Sequence, residues 1–305
     1  MQWETGIRPG MCTGSAVALG YFDGVHLGHR AVLAAARNWA CVHGVSTAVF
    51  TFTLPPHAAL KGAHILQDIE KQRRLNECGV QMALCPPFEA FRALSCEAFV
   101  TEVLCGALGA KAVFCGPNFT FGNGGMGNAE MLRQLCAAHG VQVKVVPLAR
   151  WAGQVVSSTR IRQTLQAGDM EAAGQMLVQP YAVTLPIRHG RGNGHQWGFP
   201  TINQIYPDGL LVPRQGVYVS RVTLPDGSVH PGATGLGSRP TVNGNADDVT
   251  CETFLPGFSG DIYGETARLE FCRYLWPTRK FDSVEALRDM VQQAAAAALE
   301  SWKET

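Results

Sequence analysis

The chain has 305 residues, 46% of them hydrophobic and 16% charged, and 25 Lys and Arg against 24 Asp and Glu leave a net charge of +1. That length predicts two domains rather than one core, and the charge balance excludes a surface built wholesale for nucleic acid or anionic membrane. The ten cysteines stand singly in apolar runs, no stretch of about twenty apolar residues exists, and "MQWETGIRPGM" lacks the apolar core of a signal peptide, so a soluble, cytoplasmic protein with reduced thiols is expected.

In chain order, "SAVALG", "VSTAVFTF", "QMALC", "KAVFCG" and "VQVKVVP" read as strands, with helical patterns between them. In "SCEAFVTEVLCGALGA", Phe99, Val100, Val103, Leu104, Ala107 and Leu108 share a helical face that Gly109 ends. This β-α-β-α rhythm predicts an α/β domain, a parallel sheet with helices on both faces, over residues 1–180. Ligands of such sheets bind beyond the carboxyl ends of the strands. After Pro180 the runs shorten: "YAVTLPI", "GVYVSRVTL", "HPGATGLG", "TCETFLP" and "ARLEFCRYL". Closely spaced strands with turn signals predict a small antiparallel β-barrel over 181–305. A last helix from Ser283 presents Leu287, Val291, Ala294, Ala298 and Trp302 on one face.

Five strings carry chemistry. In "ALGYFDGVHLGHRAVL", Gly20 and Gly24 permit a sharp turn after the first strand. The helix that follows offers unpaired N–H groups and a positive dipole end, a seat for phosphate. His26 and His29, about one turn apart, can donate to the same anion and can carry charge near neutral pH; capping, packing and a metal site are the other readings. In "CGPNFTFGNGGMGN", a strand again ends in a glycine turn; Asn118 can read a polar ligand edge, and Phe119 and Phe121 can pack a flat ring or the core. In "VSSTRIRQTLQAG", Ser157 or Ser158 can cap a helix that Gly168 ends. Thr159 and Arg162 share a side of it, and a guanidinium there makes a second anion clamp. "RHGRGNGHQWGFPTIN" is a flexible glycine loop able to wrap phosphates, but without the G-K-[ST] of a P-loop. Glu252 in "VTCETFLPG" is a general base if a hydroxyl lies in reach, and a solvent-facing strand residue otherwise.

"FDGVHLGH" resembles the H-x-G-H nucleotidyltransferases and, more narrowly, the bacterial bifunctional riboflavin kinase / FAD synthetase family. The resemblance runs from residue 15 to about 300. It implies a Rossmann-like FMN adenylyltransferase domain followed by a riboflavin kinase barrel with a C-terminal helix. It further implies that Gly20, Phe22, Asp23, Gly24, His26, Gly28 and His29 hold ATP phosphates. Asn118 then matches a position near the reacting phosphates, and Ser157, Ser158, Thr159 and Arg162 match the S-S-T-x-x-R string that closes on them.

In the kinase half, Gly190, Gly192, Gly194, Gly198, Pro200 and Arg239 are implied nucleotide and flavin contacts. Thr201 and Asn203 are implied holders of Mg²⁺, and Glu252 is the implied base toward the riboflavin 5′-hydroxyl. ATP, riboflavin and FMN are the implied ligands, with no nucleic acid or membrane partner and a monomer or weak homo-oligomer expected. The chain departs from the family pattern at Met126, Ile202, Trp276 and Thr278. A nucleotidyltransferase of the same fold acting on another phosphorylated acceptor, and a flavin-binding or regulatory protein, stay open beside this reading.

Overall fold

The computed structural model describes residues 1–54, 62–189, 199–239, 248–279 and 282–303, with Arg239 and Asp248 described by their backbone alone. The chain groups into two compact units, Met1–Gly62 with Lys71–Ser158, and Ala63–Glu70 with Thr159–Thr305.

The first unit is built on six parallel strands: β1 (Gln2–Glu4), β2 (Ser15–Leu19), β3 (Ser46–Phe50), β4 (Met82–Leu84), β5 (Ala110–Cys115) and β6 (Gln142–Val145). Their order is β1-β4-β3-β2-β5-β6. All five expected strands form; β1, too short to show a period, adds an edge by pairing with β4. The chain steps from β2 outward to β3 and β4, then returns to the other side of β2 as β5. That reversal makes the carboxyl ends of β2 and β5 the topological switch point, where open parallel sheets bind ligands. The residues of β2 are buried throughout, as a strand covered on both faces must be.

Helix α1 (Leu27–His43) follows β2 and buries Val32, Leu33, Ala36 and Ala40. Helix α2 (Asp68–Glu77) precedes β4. The expected helix before β5 forms as α3, but it starts as α-helix over Cys96–Ala98 and continues as π-helix over Phe99–Ala107. Its last turn closes with an i→i+5 bond from Leu108 N to Val103 O at 3.0 Å, a wider winding than the 3.6-residue pattern predicts. Its expected face is buried all the same, and Phe99 packs edge-on against Phe50 of β3. Helix α4 (Ala129–Ala137) is capped by Asn128, whose side chain accepts from the N–H groups of Glu130 and Met131. A two-stranded ribbon, β7 (Arg150–Trp151) and β8 (Gln154–Val155), leads to α5 (Ser158–Ala167) and α6 (Met170–Leu177).

The second unit holds a six-stranded antiparallel sheet: β9 (Tyr181–Pro186), β10 (Thr201–Ile205), β11 (Gly216–Thr223), β12 (Val229–Arg239), β13 (Asp248–Phe254) and β14 (Thr266–Trp276). Its order is β10-β13-β12-β11-β14-β9. One antiparallel bridge, Arg188 with Asn203, draws its two edge strands together. Strand β10 corrects the sequence reading, which left this stretch as the end of a loop. "TINQI" has a polar residue at an inward position, and Gln204 is wholly buried. Its Nε2 donates to the carbonyls of Leu185 and Ala267, at 2.8 and 3.1 Å, so the strand reads as polar while sitting in the core.

The C-terminal helix, Val284–Lys303, buries Ala294, Ala295 and Ala298, and Ala294 packs on Val217 and Ala233 with Trp276 and Met290 alongside. Trp302, expected on the buried face, is 39% exposed; it lies in the last turn, beyond the sheet positions that Ala294 contacts.

Candidate active sites

The turn from β2 to α1 is tightly wound. Phe22, Gly24 and Val25 all have positive φ, at 55, 99 and 44°. For Phe and Val this is a sparsely populated region that costs about 1–3 kcal/mol, and such strain gathers at functional sites. The surroundings hold it: Phe22 and Val25 are fully buried, Arg30 Nε donates to Val25 O at 3.2 Å, and Arg74 Nη1 donates to Gly24 O at 3.4 Å. The Phe22 ring packs edge-on against His29, so what this residue shows a ligand is backbone. Asp23 is buried, and its carbonyl accepts from Ser158 Oγ at 2.9 Å.

His26 is the N-cap of α1. Its Nδ1 accepts from His29 N at 3.3 Å, so a neutral ring carries its proton on Nε2. The imidazoles of His26 and His29 stack, with centroids 3.6 Å apart and planes 15° apart. Gly28 lies close against that stack: a Cβ there would lie 3.2 Å from His26 Cε1 and 3.3 Å from Nδ1, so the ring would have to shift. Burial pushes the His26 pKa down to about 4. His29 is also held well below the ordinary value, first by burial, then by His26 and by Lys71. Burial of the two rings against each other at a helix tip thus disfavours the charged form of both. His29 Nδ1 is buried with no protein partner among the described residues.

At the neighbouring switch-point strand, Asn118 is exposed just past β5. Phe119 and Phe121 stack at 5.9 Å, and Phe121 is buried while Phe119 is half-buried. Both line a cavity of about 460 Å³ with Gly20, Phe50, Phe52 and Phe91 and the 122–125 turn. The aromatic walls from Phe50 and Phe52 and from "FEAF", residues 88–91, were not singled out in the sequence; their signal was ring residues at and just past strand ends. Met126 is 80% exposed on that turn.

Ser158 stands inside α5 and not at its cap. Its hydroxyl reaches back to the β2–α1 turn through Asp23 O, which ties the third string to the first. Within the second unit, Arg162 is buried and its Nε donates to Ala63 O at 2.7 Å, while Thr159 is exposed.

In the antiparallel sheet, Asn203 of β10 lies directly opposite Glu252 of β13, and Thr201 opposite Phe254. Side chains two apart on a strand share a face, as do opposite residues of an antiparallel pair. Thr201, Asn203 and Glu252 therefore share one face. The alternating residues Ile202, Gln204, Cys251 and Thr253 take the other, buried face. Asn203 Nδ2 donates to Thr201 O at 3.2 Å. Gly190, Gly192, Gly194 and Gly198 lie outside the described residues, as does the side chain of Arg239. Pro200 is exposed immediately before β10. Trp276 serves packing against the C-terminal helix.

A parallel sheet with glycine-rich turns at its switch point, followed by an antiparallel sheet with Asn203 facing Glu252, matches the architecture of a nucleotidyltransferase combined with a small-molecule kinase. The FAD synthetase family model matches residues 10–160, and the riboflavin kinase family model matches residues 177–302. A bifunctional riboflavin kinase/FMN adenylyltransferase of Listeria monocytogenes is 32% identical over 89% of this chain and 87% of its own length. One of Pseudomonas fluorescens is 32% identical over 93% and 92%. The solved structure of a protein described as a macrolide-efflux protein of Streptococcus pneumoniae superposes with a TM-score of 0.87, at 28% identity, over 98% of this chain and 99% of that one. Among the described residues here, no helix is long and apolar enough to cross a membrane. The chain belongs to the bifunctional riboflavin kinase/FMN adenylyltransferase family, with the adenylyltransferase half first.

Proposed function

We propose that the family's two reactions, phosphorylation of riboflavin to FMN and adenylylation of FMN to FAD, are carried out here by the face bearing Thr201, Asn203 and Glu252 and by the β2–α1 turn, respectively. The functional boundary is placed near residue 180. The observation that carries the reading is the topological switch: the two glycine-rich strings follow adjacent parallel strands, β2 and β5.

For adenylylation, an oxygen of the FMN phosphate attacks the α-phosphorus of ATP, and the bond to the departing pyrophosphate breaks. FMN arrives ionised, so no protein nucleophile is needed. The chain must hold two polyanions together. His26 offers Nε2–H, His29 the second ring, α1 its unpaired N–H groups and dipole, and Arg162 a guanidinium. Losing one preorganised donor of this kind costs about 3–4 kcal/mol of transition-state stabilisation. The aromatic cavity beside Gly20 suits the flat isoalloxazine ring, and Asn118, exposed just past β5, would meet the phosphates.

For phosphorylation, Glu252 accepts the proton of the riboflavin 5′-hydroxyl as that oxygen attacks the γ-phosphorus of ATP, and the bond from that phosphorus to the departing ADP breaks. The donors on this face are oxygens, from a hydroxyl, an amide and a carboxylate, which is the set that Mg²⁺ takes together with phosphate oxygens. Thr201 and Asn203 would hold it, and it supplies charge neutralisation at the transferring phosphoryl group. The ten cysteines are free thiols, which suits a reducing compartment, and the cytoplasm is the proposed location.

Thin-layer separation of products from riboflavin and Mg-ATP tests the assignment. His29→Ala is expected to abolish FAD and leave FMN formation within twofold. Glu252→Gln is expected to abolish FMN formation and leave adenylylation of supplied FMN intact. Equal loss of both activities in either variant would refute separate sites.

A further inference from the structure

We propose that Lys71, on α2, is a phosphate ligand of the adenylylation site. This rests on the reading of the β2–α1 turn as the phosphate cradle. Burial favours the neutral imidazoles, so a nucleoside triphosphate and a second phosphate held there call for a further positive charge. Lys71 supplies one. It is only 4% exposed. Its Nζ lies 3.2 Å from Phe52 O and 4.8 Å above the Tyr21 ring. Phe52 follows β3 by two residues and Tyr21 follows β2 by two. The ammonium therefore sits at the carboxyl edge of these adjacent strands, where ligands bind. The Tyr21 and Phe52 rings stack at 4.8 Å, which fixes the platform beneath it. Its field reaches His29 and helps hold that ring neutral.

Helix α2 also positions the turn. Arg74 lies one helical step from Lys71, on the same side by i,i+3 spacing, and is wholly buried with Nη1 on Gly24 O. One helix face thus fixes the wound backbone with Arg74 and brings a cation to its edge with Lys71.

The test uses the full chain and pyrophosphate, the reaction's own product, as probe. Pyrophosphate binding is measured by calorimetry, and FAD formation from supplied FMN is measured alongside. Lys71→Gln is expected to weaken pyrophosphate at least tenfold and to cut FAD formation about a hundredfold, with FMN formation within twofold of wild type. Lys71→Arg keeps the charge and is expected to restore most of the binding. Lys71→Met keeps the stem on Tyr21, and it decides the matter where the Gln variant loses its fold. Unchanged pyrophosphate affinity in the neutral variant overturns the assignment of Lys71, provided His29→Ala weakens binding. Unchanged affinity in His29→Ala as well would overturn the cradle itself.

Discussion

His26 does two things through two nitrogens. Nδ1 closes the first turn of α1, and that fixes the proton on Nε2, the atom left to donate to a ligand. Protonating the ring removes the cap and charges a buried group at a positive helix end. The sign follows from the folded pKa of about 4 lying below the ordinary 6.5. The unfolded chain binds the proton first as pH falls, so this stability is fully present above about pH 6.5. It is lost toward pH 4, by roughly 3 kcal/mol. Thermal melts from pH 7 to 4.5 should show it, and His26→Asn, which caps without titrating, should flatten the slope. Gly28 gives a second residue-scale prediction. Gly28→Ala places a methyl against the His26 ring and displaces it. FAD formation should fall about tenfold to a hundredfold, with FMN formation unaffected in the same preparation.

Among the elements, strands β11, β12 and β13 share a buried hydroxyl chain. Ser220 Oγ meets Thr234 Oγ1 at 2.7 Å, and Thr234 Oγ1 meets Thr253 Oγ1 at 2.8 Å. Gly232 makes room for it, since a Cβ there would lie 2.6 Å from Ser220 Oγ. Thr253 neighbours Glu252 in sequence and points to the opposite side, so this chain anchors the strand that carries the proposed base. Thr234→Val keeps the shape and strands two hydroxyls. It should cost about 1–3 kcal/mol, read as a lower urea midpoint for loss of FMN formation. The helices behave differently from the strands in how far sequence predicts them. The apolar face before β5 was legible because burial dictates residue type. Its π-winding was not, because the face survives a change from 3.6 to wider turns.

At the scale of the whole molecule, residues 63–70 belong to the compact unit of the antiparallel sheet. Glu70 is 1% exposed and accepts from Arg268 Nε at 2.9 Å and from Thr184 Oγ1 at 2.8 Å. Gln67 clasps the backbone of Thr184 in both directions. Glu70→Ala leaves the partly buried Arg268 with Glu270 as its remaining carboxylate among the described residues. The sheet unit should lose about 2–3 kcal/mol, measured as faster thermal inactivation of FMN formation. No pattern in "LQDIEKQRRL" announces this, because a glutamate and a lysine in successive positions look alike as solvated helix residues.

The sequence by itself determined the parallel-then-antiparallel order, the strands with clear apolar runs and the glycine-and-histidine strings, because local backbone freedom and burial leave direct marks on residue type. Only the tertiary structure decided that the imidazoles are buried against each other, that Asn203 faces Glu252, that seven phenylalanines from separate segments wall one cavity, and that Lys71 and Arg74 stand at the first turn. Those facts depend on desolvation, register and strand order. They arise when distant parts of the chain meet, and no single stretch encodes them.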